Sequence, residues 1–296
     1  MRDTFSDYHP IVNILFFISV TGFAMFLRQP VCLVIAILSA LVYSVWLYQG
    51  KWKQFLYLLP FAFFMIIMNP LVNHQGITIL GYFPGGNPFT LESVIYGVVA
   101  AGMLCAVMLW FSCFHQVITT DKWTYLFGRI LPALSLVLSM ILRFIPRYVQ
   151  QFKSVLEAQR QLGKTMGNGK LRSRMKTVIR VFSVMLTWTM EHGIETANSM
   201  KARGYGLPGR TAFSLYRWSL RDTVLLIVIA LLDGIVLTGI FLGKLYWVCF
   251  PMVIHAETDG WTILIYIAYG GLMILPMVVL GMEHLQMRKE VAGQWK

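Results

Sequence analysis

The sequence predicts an all-α polytopic membrane protein with about six transmembrane helices and a cytoplasmic domain of amphipathic helices. Three observations lead there. The 296 residues are 57% hydrophobic and only 13% charged, against about 25% charged in an ordinary soluble chain, and the mean hydropathy is +0.65. Six stretches, near 11–27, 31–48, 54–70, 93–115, 223–243 and 261–282, have the length or apolarity of a span, which takes roughly 17–25 residues at helical rise. Finally, the net charge of +12 sits in one block: residues 119–222 hold 17 Lys and Arg against 5 Asp and Glu, and the rest of the chain is balanced. The chain divides accordingly into a membrane domain of four spans (1–118), a cytoplasmic or interfacial domain (119–222) and two further spans (223–296).

Orientation follows from where the cations lie, because cytoplasmic loops are enriched in Lys and Arg. The basic block is placed inside. Lys51 and Lys53 between spans two and three, and Arg288, Lys289 and Lys296 at the end, also fall inside; residues 71–92 carry no Lys or Arg and fall outside. Six spans then put both termini in the cytoplasm. Arg28 and Lys244 dissent, but each sits at a span end, where a long cationic side chain can snorkel.

In chain order, ten fairly polar residues precede the first span and no small-x-small cleavage site follows it, so the span is expected to be kept. The outer loop after span three has turn signals at Pro84-Gly85-Gly86 and Asn87-Pro88 and predicts a compact hairpin or structured turn. Span four carries Gly97, Ala101 and Cys105 one turn apart, with Gly102 and Ala106 beside them; small residues at this spacing let backbones approach, for packing inside the chain or against another membrane protein. Span five ends in Gly239-x-x-x-Gly243 and holds Asp233 near its centre, an expensive place for an acid.

The basic block opens with thirteen apolar residues, Ile130–Leu142, between Arg129 and Arg143, short for a span and suited to an interfacial or re-entrant helix. An amphipathic helix is predicted from Pro146, with Val149, Phe152 and Leu156 on one face, stopping at Gly163. A second runs from about Ser173 to Arg203, with Ile179, Phe182, Leu186, Thr189, Ile194 and Ala197 as its stripe. Gly204, Gly206 and Pro208 end it. Each helix thus stops at a glycine with arginine in its last turns, which complements the negative end of the helix dipole.

Two stretches imitate other chemistry. Ala158–Thr165, "AQRQLGKT", matches a relaxed phosphate loop, but a helix precedes it where that motif needs a strand, and no helix-forming run follows. Glu191, His192 and Glu195 lie close together without a second histidine, so they form neither a zinc protease motif nor a metal set. Cys32, Cys105, Cys113 and Cys249 lie in or near apolar segments without CxxC spacing and are read as small buried hydrophobes. No aromatic stacking pattern accompanies the cations, so the expected generic partner is the lipid bilayer and not nucleic acid. No cofactor and no catalytic residue is expected.

The segments "TYLFGRILPALSLVLSMILRFIPRYVQQFKSVLEAQRQLG" and "SMKARGYGLPGRTAFSLYRWSLRD", with "HPIVNILFFISVTGFAMF" near the start and "NPLVNHQGITIL…FTLESVIYG", resemble the transmembrane T component of energy-coupling factor (ECF) transporters. The similarity extends to about Asp222; the last two spans share only the character. The resemblance implies a scaffold subunit of an ABC-type importer in a bacterial or archaeal plasma membrane, not an enzyme. It joins a small membrane S component, which binds a vitamin or metal ion, to two cytoplasmic ATPases. It also implies that the two amphipathic helices are coupling helices whose Ala-Arg-Gly ends dock on the ATPases. Ala202-Arg203-Gly204 is the second such end intact. At the first, aligned on Gly163, the expected arginine is Leu162; either Arg160 supplies the charge or that dock is more apolar. Gly97, Ala101 and Cys105 would serve membrane packing or S-component contact. The rival readings are a self-sufficient secondary transporter, for which only Asp233 is a midplane ionisable residue, and a membrane-embedded enzyme, for which the spans hold no convergent catalytic set.

Overall fold

The computed structural model describes residues 4–48, 56–82, 86–130, 132–162, 171–205, 216–252, 254–255 and 259–294. Lys51, Lys53, Pro84, Gly85, Gly163, Lys164, Thr165, Gly206, Pro208 and Lys296 lie outside them. The described residues form nine α-helices and two small antiparallel hairpins. In chain order these are α1 (Pro10–Phe26), α2 (Pro30–Leu47), α3 (Leu58–Val72), β1 (Ile79–Tyr82), β2 (Pro88–Thr90), α4 (Leu91–Val117), α5 (Thr120–Ile130), α6 (Pro132–Gln161), α7 (Leu171–Ala202), α8 (Leu220–Phe241), β3 (Trp247–Val248), β4 (Ile254–His255) and α9 (Gly260–Gln294). A short 3-10 turn, Thr4–Asp7, precedes α1.

Helices α2, α4, α8 and the Gly260–Met282 part of α9 are long and apolar enough to cross a membrane. The first and third expected spans are apolar but shorter, α1 at 17 residues and α3 at 15. Proline starts the first two: Pro10 and Pro30 stand at the first helical turn, where a missing N–H costs nothing. At α1 the His9 ring also accepts the Ile11 amide at 3.3 Å.

The contacts divide the chain into two compact units, Met1–Trp123 with Tyr216–Lys296, and Thr124–Leu215. In the first, α4 lies against α1, α2 and α3, and α9 lies against α2 and α8. Its centre is aromatic. Trp110, fully buried, receives Phe16 at 6.0 Å edge-on and Tyr43 at 6.2 Å, and Phe5 from the N-terminal turn meets Phe16 at 5.1 Å, all within the separations at which ring pairs attract. Asp233 on α8 accepts a 2.6 Å hydrogen bond from Ser19 on α1, so the partner of the intramembrane acid is a hydroxyl.

Small residues set the helix spacing. A Cβ on Gly97 would stand 3.1 Å from the Asn69 side chain and 3.2 Å from the Ile66 carbonyl of α3, and one on Gly102 would meet Leu33 of α2. Ala101 is buried and Cys105 partly buried against the core. Gly239 faces Ile265 of α9 even more closely, with three side-chain atoms within 3.1 Å of an added Cβ. Gly239→Ala is therefore expected to destabilise the α8–α9 pair by about 1–3 kcal/mol through overpacking, measured as a lowered melting temperature in detergent. Gly243 ends α8 with φ +68, and the Lys244 and Gly243 amides turn back to the Gly239 and Ile240 carbonyls, the 6→1 and 5→2 pattern of a Schellman turn. Lys244 pairs with Asp259 just before α9.

The loop after span three is the expected hairpin. Glu92, in the first turn of α4, accepts the Thr78 amide, and Ser93 donates to the Asn73 and Gln75 carbonyls, tying the hairpin to the helix. A second, small cluster joins α4 to the β3–β4 hairpin through Val99, Trp247 and Cys249. Burial there pushes the Cys249 thiol up to about 11, with the Arg28 cation pulling the other way.

One expectation is corrected. The sequence predicts a short apolar segment over 130–142 and a new helix from Pro146. Instead Ile130 ends α5, and α6 runs unbroken from Pro132 across Pro146 to Gln161. A proline ring removes one hydrogen bond and presses on the carbonyl four residues back, here Leu142. A thirty-residue helix retains enough other bonds to carry that cost.

Candidate functional site

The second unit contains α6 and α7, and both are rich in helix formers on a polar ground. Aromatic contacts fix their relation. Phe144 meets His192 at 6.2 Å and Tyr148 meets Trp188 at 5.5 Å, while Trp188 stacks on His192 at 5.2 Å and 17°. Advancing along α6 means retreating along α7, so the helices are antiparallel, and these contacts fall near the middle of each. Their C-terminal ends consequently point opposite ways. At 1.5 Å per residue, Arg160 and Arg203 are separated along the helices by up to about 40 Å.

Each end can be built up from its residues. At the end of α7 the Gly204 and Tyr205 amides return to the Lys201 and Met200 carbonyls, both at 3.0 Å. This is again a Schellman turn, with Gly204 at φ +78, a conformation that costs any other L-residue roughly 1–2 kcal/mol. Arg203 is the residue just before that glycine, its amide shared between the Ser199 and Met200 carbonyls. The turn satisfies the helix end with backbone alone and leaves the Arg203 side chain exposed, as are Lys201 and Ala202. Among the described residues no acid pairs with it. At the end of α6, Arg160 is exposed in the last turn, and the Leu162 amide returns to the Ala158 carbonyl at 3.2 Å. Leu162, in the place of the expected arginine, is 66% exposed. Gly163, which would close this end, is outside the described residues.

The predicted apolar stripes are present but uncovered within this unit. Of these, Val149 and Phe152 on α6 and Ile179, Phe182, Leu186, Ile194 and Ala197 on α7 stay exposed, while Leu156 and Thr189 are half-buried; Val137, Ile141, Ile145 and Met190 add further exposed apolar side chains. Val181 and, one turn earlier, Thr177 are buried, so the packing face of α7 is displaced from the stripe read in the sequence. His192 and Glu195 lie 3.5 Å apart on successive turns, and among the described residues no group of three or more metal-ligating side chains converges. The unit therefore presents cationic side chains at two separated helix ends and exposed apolar side chains between them. The other flagged set, Gly97, Ala101 and Cys105, lies in the first unit; Gly97 faces α3 as described above.

Comparison with known proteins agrees with this picture. The family model described as "CbiQ: Cobalt transport protein" matches residues 5–214, more than half of the chain and ending before α8. Among curated proteins, the chain is 38% identical over 103 residues to the energy-coupling factor transporter transmembrane protein EcfT of Listeria innocua, and 34% identical over 111 residues to that of Bacillus selenitireducens. It is 31% identical over 105 residues to the Lactobacillus helveticus protein of the same name. These alignments cover 34%, 37% and 35% of this chain and 39%, 41% and 38% of the relatives, so the chain spans about two fifths of the length of the curated relatives it matches. A polytopic helical membrane chain, two antiparallel helices with cationic ends, and a family match across both: the chain belongs to the CbiQ family of transmembrane T components of ECF transporters.

Proposed function

We propose that this chain is the scaffold that couples ATP hydrolysis by two cytoplasmic ABC-type ATPases to substrate release from a small membrane S component. The carrying observation is the antiparallel α6–α7 pair, which holds two exposed cationic helix ends, at Arg160 and Arg203, up to about 40 Å apart. Two ends facing opposite ways suit two docking grooves, one on each ATPase. An arginine seated within such a groove makes paired, charge-assisted bonds to a carboxylate. The exposed apolar stripes between the ends suit the S component or the bilayer surface, and Gly97, Ala101 and Cys105 mark where α4 packs in the membrane or meets that partner.

In this mechanism the chain hydrolyses nothing. Closure of the ATPase pair draws the two ends together, the helices turn about the Phe144–Tyr148–Trp188–His192 crossing, and the S component, resting on their apolar faces, is reoriented to release a vitamin or metal ion inwards. The membrane is the plasma membrane of a bacterium or archaeon, with both termini and the α6–α7 unit in the cytoplasm. The Asp233–Ser19 pair acts as an interhelical tie.

Reconstitution tests this reading. Purified chain alone in liposomes is expected to accumulate no vitamin or cobalt(II) under an ion gradient, whereas the complex with its ATPases and S component does so with ATP. Gradient-driven accumulation by the chain alone would establish a secondary transporter instead.

A further inference from the structure

The α6–α7 unit leaves and rejoins the membrane unit at two chain crossings, residues 117–123 and 216–222. Both are held by the same N-terminal segment. At the first, the Ser6 hydroxyl donates to the Val117 carbonyl at 3.4 Å, and the Lys122 ammonium donates to Ser6 Oγ at 3.3 Å. Asn13, with its amide oriented to satisfy both ends, accepts from Lys122 at 2.8 Å and donates to the Phe5 carbonyl at 3.0 Å. At the second, Asp222 Oδ1 accepts the His9 amide at 2.8 Å, while Oδ2 accepts the Ser219 amide and hydroxyl at 2.8 and 2.7 Å. The Trp218 ring meets His9 at 4.8 Å, tilted by 58°. Tyr216 joins the crossings directly through a hydrogen bond with Thr119; burial, then Asp121 and Asp7, raise its phenol pKa.

These are costly groups to bury. Lys122 is 2%, Asp222 3%, His9 4% and Asn13 0% exposed, and a buried charge is tolerated only when fully paired and hydrogen-bonded. Capping α8 needs only Ser219 and Asp222, which already form a reciprocal capping box. The additional bond to His9, 213 residues away, and the buried ammonium of Lys122 add nothing to that cap. What the whole set does is anchor both crossings to one ten-residue segment, itself pinned in the core by Phe5.

We propose that Ser6, His9 and Asn13 form a collar in which Lys122 and Asp222 are positioning residues, fixing the two crossings to each other. Resting on the scaffold reading, the collar passes displacement of the α6–α7 unit on to α1, α4 and α8, where two free necks would absorb it. The two crossings then share one stability: loosening one loosens the other.

Amide hydrogen exchange tests this on the full chain in detergent. Asp222→Asn turns an amide donor toward Ser219; exchange is expected to rise at least roughly fivefold, the low end of couplings between distant sites, at 117–123 as well as at 216–222. Lys122→Met is expected to act reciprocally, and Tyr216→Phe, which removes one hydroxyl and leaves folding intact, in the same direction to a smaller extent. Faster exchange confined to the mutated crossing in all three variants would make these groups local caps and overturn the collar, as would no change. A second arm uses the assembled complex with ATP. ATP is expected to alter exchange in α1 and α8 of wild type, and in Asp222→Asn to be hydrolysed at the wild-type rate without that change. Persistence of the change in Asp222→Asn overturns the transmission role. If wild type assembles with no ATPase, the scaffold reading fails, and the first arm still decides the collar.

Discussion

Arg203→Ala is expected, on the proposed coupling role, to weaken association with ABC-type ATPases by roughly 2–5 kcal/mol, the range for removing one member of a buried, hydrogen-bonded charge pair at an interface. Part of that loss is the penalty on the partner carboxylate, left desolvated without its cation. In this chain Arg203 is exposed and its helix end is completed by backbone bonds from Gly204 and Tyr205. The substitution therefore leaves the fold alone, and the variant is expected to insert, extract and melt as wild type does. Arg203→Lys is expected to recover only part of the affinity, because an ammonium lacks the planar fork of the guanidinium. Titration of purified ATPases onto the chain in nanodiscs measures both. Equal affinity of wild type and Arg203→Ala would remove Arg203 from the interface.

Trp188→Ala is expected to have the next largest effect. Trp188 stacks on His192 within α7 and meets Tyr148 of α6 edge-on, so its loss removes one of the two aromatic contacts that hold α6 against α7 and leaves Phe144–His192. A cost of about 2–4 kcal/mol follows from large-to-small truncation of a ring with two aromatic partners. Because the crossing sets the separation of the Arg160 and Arg203 ends, the variant is expected to show faster proteolysis within 124–215 and to lose bivalent docking, with the membrane helices unchanged. Trp188→Phe, which keeps an aromatic face, is expected to retain most of the wild-type behaviour.

The membrane helices were legible in the sequence because their signal is local. Apolar runs of span length mark them, and Pro10, Pro30 and Gly243 punctuate them by their own backbone preferences. The candidate site was legible for the same reason: an arginine before a glycine at the end of an amphipathic run says where the helix stops. Pro146 misled because the cost of a proline is local but its acceptance depends on how much helix lies on either side. The real face of α7 was also misplaced, since Val181 is buried while its apolar neighbours Ile179 and Phe182 stay exposed. Contacts across the chain left no trace. Ser19 and Asp233, His9 and Asp222, and Ser6 and Lys122 meet only after the helices have packed. The one available hint was the presence of acids and a cation at the borders of apolar segments, where burial demands a partner.

Affinity purification of the tagged chain from its native membranes, wild type beside Arg203→Ala, is the most direct test of coupling through the α6–α7 unit. Coupling predicts that wild type brings down two ATPases and a small membrane protein, and that Arg203→Ala selectively loses the ATPases. A wild-type chain that emerges intact and alone would contradict it.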